Sequence, residues 1–278
     1  MESSELIKRI DATVGHLVDE IDEAKQSEAM LSFLKMASRF HKYSTYNLLL
    51  IYSQIPDATR IAGYKTWQSM GRNVRKGQHG IHILVPVFFT KAENGIAEDE
   101  KNEKRIKYFN TGAVFDVSQT DGAPLPEEPE WRSRVKAPEI EQALLMFAKN
   151  KGITVSITKE IPIQGAEGVS MGNKILVLPE AGTRTLIHEL AHELLHKGSC
   201  RDLETQIKEI EADATAYVVC DHFNIVNNES PNYLGLYQAT GKEVIGRLGS
   251  IRAASAEIIR AVEEYLTPTD KPNETTNE

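Results

Sequence analysis

At 278 residues, with 41% hydrophobic and 26% charged, the chain has the balance of a globular protein and length for two modest domains. That excludes a chain disordered throughout, and the lack of any repeat period excludes a fibre or solenoid. The net charge of −8 speaks against nucleic acid on average, but it hides an asymmetry: nine basic residues and one acid, Asp57, stand between Lys35 and Lys91. This block carries +8 and leaves −16 to the remainder. It either contacts a polyanion or neutralises acidic surface at a domain interface.

The predicted elements begin with a helix over 3–25, where Leu6, Ile10, Val14, Leu17, Val18 and Ile21 recur at helical spacing. Further helices are expected over 28–40 and 45–54, the latter stopped by Pro56-Asp57. Residues 81–89 and 108–117 read as a pair of β-strands around a charged loop, 92–105. Pro124, Pro126, Pro129 and Pro138 with interspersed acids mark a linker. Beyond it come helix 139–150, strand 153–158, the hairpin GVSMGNKILVL, and a helix over 186–197 capped by Thr183 or Thr185 and closed by Gly198. Helices over 203–223 and 241–265 complete the order. The expected fold is α+β in two domains, 1–120 and 139–266, joined by linker 121–138 and followed by a disordered tail, 267–278.

No window approaches the ~20 apolar residues of a membrane span. The opening MESSELIKRIDATV lacks the apolar core of a secretory signal. Cys200 and Cys220 are too few for a disulfide framework and are expected to be structural. A cytoplasmic setting without membrane partners is the expectation.

Chemistry concentrates in His188-Glu189-Leu190-Ala191-His192, an HExxH on a predicted helix. Residues four apart share a helix face, so both imidazoles can point at one ion, with Glu189 placed to take a proton from water. Leu186, Ile187, Leu190, Ala191, Leu194 and Leu195 make the helix apolar, and unpaired histidines there would be costly. A tetrahedral catalytic zinc needs a third protein ligand. The next helix holds Glu209, Glu211 and Asp213, acids that a packed face usually excludes. Glu209 is the expected third ligand, with Asp213 one turn on accepting a hydrogen bond from a liganding histidine. Glu211, about 160° further round the helix, is the competitor. His196 could extend the stripe as an alternative ligand, but is read as a C-terminal histidine facing the helix dipole. Zn2+ is the expected ion, with Mn2+ or Co2+ tolerated by the same donors.

HELAHELLH followed by EIEADATAYVV resembles the ImmA/IrrE group of zinc metallopeptidases, whose E-x-E-A-(N/D) element stands here as Glu209-Ile210-Glu211-Ala212-Asp213. The hairpin before the helix is similar to their edge strand, which pairs with extended peptide substrates. This chain departs from many members after that element, reading VVCDHFNI in place of an apolar run ending in proline. The segment YSTYNLLLIYSQIPDATRIAGYKTWQSMGRNVRKGQHGIHILVPV, with the later VFDVSQT, resembles the N-terminal single-stranded-DNA-binding domain of ArdC-type antirestriction proteins, which join it to a metallopeptidase domain in this order. The resemblance implies a zinc metalloendopeptidase that binds single-stranded DNA, cuts DNA-associated proteins and protects incoming DNA of a mobile element. Its ligands would be His188, His192 and Glu209, with Glu189 as general base. Two rivals remain: a DNA-coating protein with a structural zinc, and a protease of the ImmA kind that cleaves a repressor.

The basic block supports DNA binding independently, since single strands are held by cations on phosphates and rings stacked on bases. The expected contacts are Lys42, Tyr43, Arg60, Tyr64, Lys65, Trp67, Arg72, Arg75 and Lys76, the last three cations in a glycine-flanked loop. Phe88 and Phe89 interleave with them, Tyr46 and Tyr52 are expected in the core, and Asn47 and Gln68 are either base contacts or structural amides. Tyr217, His222 and Tyr233 are the candidates for an oxyanion partner.

Overall fold

The computed structural model describes residues 2–18, 23–88, 106–125, 137–163, 165–196, 205–225 and 241–267. The loop 92–105, most of the expected linker and nearly all of the expected disordered tail lie outside these. The fold is α+β, and the chain divides into two compact units: Met1–Pro126 with Tyr233–Gly249, and Glu127–Asn232 with Ser250–Glu278.

In the first unit, α1 (Ser3–Val18), α2 (Glu23–Arg39) and α3 (Thr45–Gln54) bury the positions that the helical spacing predicts. Leu6, Leu17, Met30 and Leu48–Ile51 are essentially inaccessible. Of the helix expected over 3–25, α1 accounts for Ser3–Val18 and the start of α2 for the residues from Glu23, while 19–22 lie outside the described residues. Ser44 caps α3, its hydroxyl accepting the Asn47 N–H. Residues 61–79, which show no periodicity, hold β1 (Ile61–Gly63), α4 (Tyr64–Ser69) and β2 (Arg72–Val74). Three-residue strands are too short to leave a pattern. β3 (Ile81–Phe88) and β4 (Ile106–Asp116) pair antiparallel from Ile81↔Val114 to Val87↔Tyr108, giving the sheet order β1–β4–β3. β2 pairs with β5 (Thr120–Gly122).

The outer edge of β3 is closed by side chains of α3. Asn47 donates to the Leu84 carbonyl at 2.9 Å and accepts its N–H at 2.8 Å. Gln54, seven residues on, treats His82 the same way at 3.0 and 2.9 Å. Two primary amides thus imitate a neighbouring strand, and at the next outward position Pro86 has no N–H to offer.

In the second unit, α5 (Ala137–Asn150) precedes β6 (Thr154–Ile157), β7 (Gly168–Ser170) and β8 (Lys174–Val177). β8 is central, parallel to β6 and antiparallel to β7. The β7–β8 turn has positive φ at Gly172 (79°) and Asn173 (62°), the hairpin geometry that these two residue types tolerate. α6 (Thr183–Leu195) packs on α7 (Thr205–His222), and its Leu186, Ile187, Leu190 and Ala191 are buried. α8 (Gly241–Leu266) closes the order, its residues from 250 grouping with this unit. Neither threonine caps α6: the N-cap is Gly182, while Thr183 donates its hydroxyl to Glu141 and Thr185 to Glu167. No helix among the described residues is long and apolar enough to cross a membrane.

Candidate functional site

α6 carries both HExxH histidines on one face, and α7 brings Glu209 to them. The Nε2 atoms of His188 and His192 lie 3.0 Å apart. Glu209 places one carboxylate oxygen 3.3 Å from the first and the other 3.5 Å from the second. One donor atom from each of the three therefore falls within 4.8 Å of the others, the donor set of a divalent-metal site.

The imidazoles are oriented from behind. His188 Nδ1 is 3.0 Å from Asp213 Oδ1, and Arg184 holds the same oxygen at 2.9 Å. With its Nδ1–H given to that carboxylate, His188 keeps its Nε2 lone pair for the cluster. Burial pulls the His188 imidazole down, but Asp213 and Glu209 outweigh it and raise the pKa to about 9 before any ion binds. The same histidines hold Glu209 far below the usual carboxylate range. Asp213 is lowered too, because His188 and Arg184 overcome its burial.

Glu189 lies one residue beyond His188 and is buried. Burial raises its pKa against the opposing pull of the two imidazoles, and the Ser170 N–H of β7 donates to its carboxylate. β7 lies flush on α6: a Cβ added at Gly168 would meet Glu189 Cγ at 2.8 Å and Thr185 Cγ2 at 2.9 Å. A cleft of about 830 Å3 opens over these groups, lined by Gly168, Ser170, His188, Glu189, His192 and Glu209 among others. Its lining does not include Tyr217 or His222. His222 is buried and paired with Glu263 at 3.1 Å, which removes it as an oxyanion partner. Tyr233 and Cys200 are outside the described residues. Cys220 is buried, and its thiol is pushed up to about 12, mainly by burial.

Sequence reasoning missed three partners. Glu193, 1% exposed, accepts from Ser170 Oγ, Gly172 N–H and Asn173 N–H and so fixes the β7–β8 turn. His196 is the C-cap of α6, as its expected place at the helix C-terminus implies, but its ring has specific partners. It is buried between His192, Nδ1 to Nδ1 at 3.0 Å, and Glu211, 3.0 Å from its Nε2. Glu211 is therefore turned away from the cluster. The spacing of four between His192 and His196 is the signal in the sequence for their contact.

In the first unit the expected DNA contacts separate. Trp67 is 2% exposed and donates its indole N–H to the Phe115 carbonyl, so it is a core residue with no face for a base. Arg72 is engaged by Thr120 and Ala123, and Arg75 by Ser118 and Asp121, so both guanidiniums brace β5 and its approach. Lys42, Tyr64, Lys65 and Lys76 are exposed. Tyr43 and Arg60 are half-buried, Tyr43 edge-on to Phe40 and Arg60 with its N–H on Asp116. Tyr52 is half-buried and bonds Ala29, but Tyr46 is 51% exposed, contrary to its expected place in the core. Asn47 is a structural amide, and Gln68 is exposed. Phe88, Tyr108 and Phe109 add exposed rings on the β3–β4 arm, while Phe89 lies outside the described residues.

The fold and site define an α+β protein with a histidine–glutamate cluster, the donor set of a metal site, on two packed helices. Residues 3–115 match the family described as the N-terminal domain of anti-restriction factor ArdC. The chain's fold is similar to the metal-free crystal structure of the antirestriction ArdC protein from R388 plasmid, with TM-score 0.51 and 17% identity, covering 80% of this chain and 86% of that one. The Mn(II)-bound structure of that protein aligns with TM-score 0.49 and 18% identity, over 80% and 84%. An uncharacterized protein of Bacillus anthracis, pXO2-81, is 26% identical over 90% of this chain, which spans about half the length of that relative.

Proposed function

We propose that this chain is an antirestriction protein of the ArdC type that binds single-stranded DNA through its first unit and hydrolyses peptide bonds with its second. The observation that carries the peptidase reading is the cluster of His188, His192 and Glu209, with Glu189 beside it on the floor of an open cleft. His188, His192 and Glu209 would hold the ion, zinc by its donor preference, and the ion would supply the Lewis-acid polarisation that makes water reactive near neutral pH.

The chain's own residues do the rest. Glu189 takes the proton of the attacking water at its carboxylate and returns it to the leaving amine. Its raised pKa suits a group that must hold the proton between those steps. Ser170 N–H keeps the carboxylate aimed. In the β7–β8 ladder Glu167 and Met171 bond to β8, so by alternation Gly168 and Ser170 turn their backbone groups the other way. An extended peptide laid along that edge runs beside Glu189. For DNA, Lys42, Lys65 and Lys76 supply charge, and Tyr64, Phe88, Tyr108 and Phe109 supply faces.

The test incubates zinc-loaded protein with DNA-binding proteins, with and without single-stranded DNA, beside Glu189→Gln. Cleavage that DNA stimulates and the variant loses, while the variant still binds zinc, is the expected result. Equal cleavage by both proteins refutes the role of Glu189. DNA binding without any cleavage moves the function to coating the strand, and DNA affinity indifferent to salt sinks the phosphate contacts.

A further inference from the structure

We infer that Glu211 and His196 form a buried relay whose work is to fix the tautomer of His192, so that its Nε2 lone pair is presented to the cation cluster. This rests on the reading of His188, His192 and Glu209 as a cation site.

The two histidines of the cluster are supported differently. His188 gives its Nδ1–H straight to a carboxylate, Asp213. His192 has an imidazole there instead, with His196 Nδ1 at 3.0 Å. Two nitrogens facing each other share one proton, and which ring owns it decides what His192 can do. If His196 holds the proton on Nδ1, His192 must accept at its own Nδ1 and carry its hydrogen on Nε2, pointing into the cluster, where it blocks an ion. If His196 accepts, His192 is the Nδ1–H form and its Nε2 is free.

Glu211 selects between the two. Its carboxylate lies 3.0 Å from His196 Nε2, and both side chains are only 6% exposed. In that contact the carboxylate is the acceptor and the ring the donor, which places the His196 proton on Nε2, and a ring with its one proton there has a bare Nδ1 facing His192. The chain Glu211←His196←His192 then runs one way, each arrow pointing to the acceptor. The acids of α7 divide accordingly: Glu209 faces the ion, Asp213 orients His188 directly, and Glu211, on the far side of the helix, reaches His192 through an intervening ring. A carboxylate and an imidazole buried together are costly to retain for packing alone, since apolar residues of like volume would pack the same space without desolvating a charge.

The tautomers are read in the metal-free protein by long-range 1H–15N correlation of its labelled histidines, and cobalt affinity by titration of the Co(II) absorption bands. The wild type is expected to show His192 protonated on Nδ1 and His196 on Nε2. His196→Leu is expected to move the His192 proton to Nε2 and to weaken cobalt binding ~10–100-fold. His196→Gln, whose amide oxygen can accept from His192 while its NH2 donates to Glu211, should recover affinity to within a few-fold of the wild type. A wild-type His192 protonated on Nε2 overturns the relay without need of any variant. So does a folded His196→Leu protein with wild-type cobalt affinity. If the leucine variant does not fold, the wild-type spectrum and His196→Gln decide the matter. Should the wild type take no cobalt, the cation reading itself fails, and the tautomer spectrum still judges the relay.

Discussion

Glu193 is the residue of HELAHELLH whose loss has the most calculable effect. One oxygen accepts from Ser170 Oγ at 2.7 Å and Gly172 N–H at 2.9 Å, and the other accepts from Asn173 N–H at 2.7 Å. In Glu193→Gln the best rotamer keeps the oxygen on Ser170 and Gly172, which turns the new NH2 against the Asn173 N–H. One charge-assisted bond is lost, about 1.5–3 kcal/mol, and a donor is left facing a donor at a buried site, about 1–3 kcal/mol more. The sum, about 2.5–6 kcal/mol, is a large fraction of the 5–15 kcal/mol typical of a folded protein. Urea unfolding of the metal-free protein measures the loss, and hydrogen exchange at Gly172 and Asn173 localises it to the turn. A loss under about 1 kcal/mol, with both amides as protected as before, would refute the view that this carboxylate holds the hairpin over α6.

Four further outcomes follow from the geometry. Gly168→Ala forces a Cβ to 2.8 Å from Glu189 Cγ, so β7 must lift from α6 at a cost of about 1–3 kcal/mol; peptide hydrolysis should fall far more than cobalt affinity, and equal losses would count against the role of β7. Because His188 has a pKa near 9 before an ion binds, an incoming ion must displace its proton at neutral pH. Affinity for zinc should therefore rise about tenfold per pH unit and level off above about 9, with one proton released in calorimetry; a pH-independent affinity contradicts the assignment. The same raised pKa stabilises the metal-free fold below about pH 6.5, and that contribution fades as the pH climbs to 9. Asn47→Leu strips two bonds from Leu84 and opens the β3 edge, costing about 2–4 kcal/mol; light scattering should show more self-association than in the wild type.

The α-helices and the HExxH pair were legible because both obey the same 3.6-residue period: apolar positions show where α3 and α6 bury, and a spacing of four puts two imidazoles on one face. The proximity of Glu209 and Asp213 to those imidazoles followed from the same arithmetic on α7. What the sequence hid is tertiary. Trp67 looked like an exposed ring because its flanks are polar, yet its indole crosses to a carbonyl 48 residues away. Arg72 and Arg75 have no local partner in the sequence; the structure gives both partners in and just before β5, while Arg75 stays exposed. Asn47 and Gln54 are ordinary polar positions on a helix until β3 arrives beside them. Long-range hydrogen bonds have no period, so composition reads such residues as surface.

The three acids of α7 also constrain how this chain can vary. Their duties depend on angle alone: each residue turns the helix by 100°, which sends Glu209 and Asp213 to one side and Glu211 to the other. Substitution of the small residues between them alters packing but not these bearings. Insertion or deletion of a single residue within 209–213 would rotate one set of carboxylates away from its imidazoles, breaking contacts with two helical positions of α6 at once. Relatives that share this centre should therefore vary freely in loop length on either side of α7 while keeping this five-residue interval without gaps.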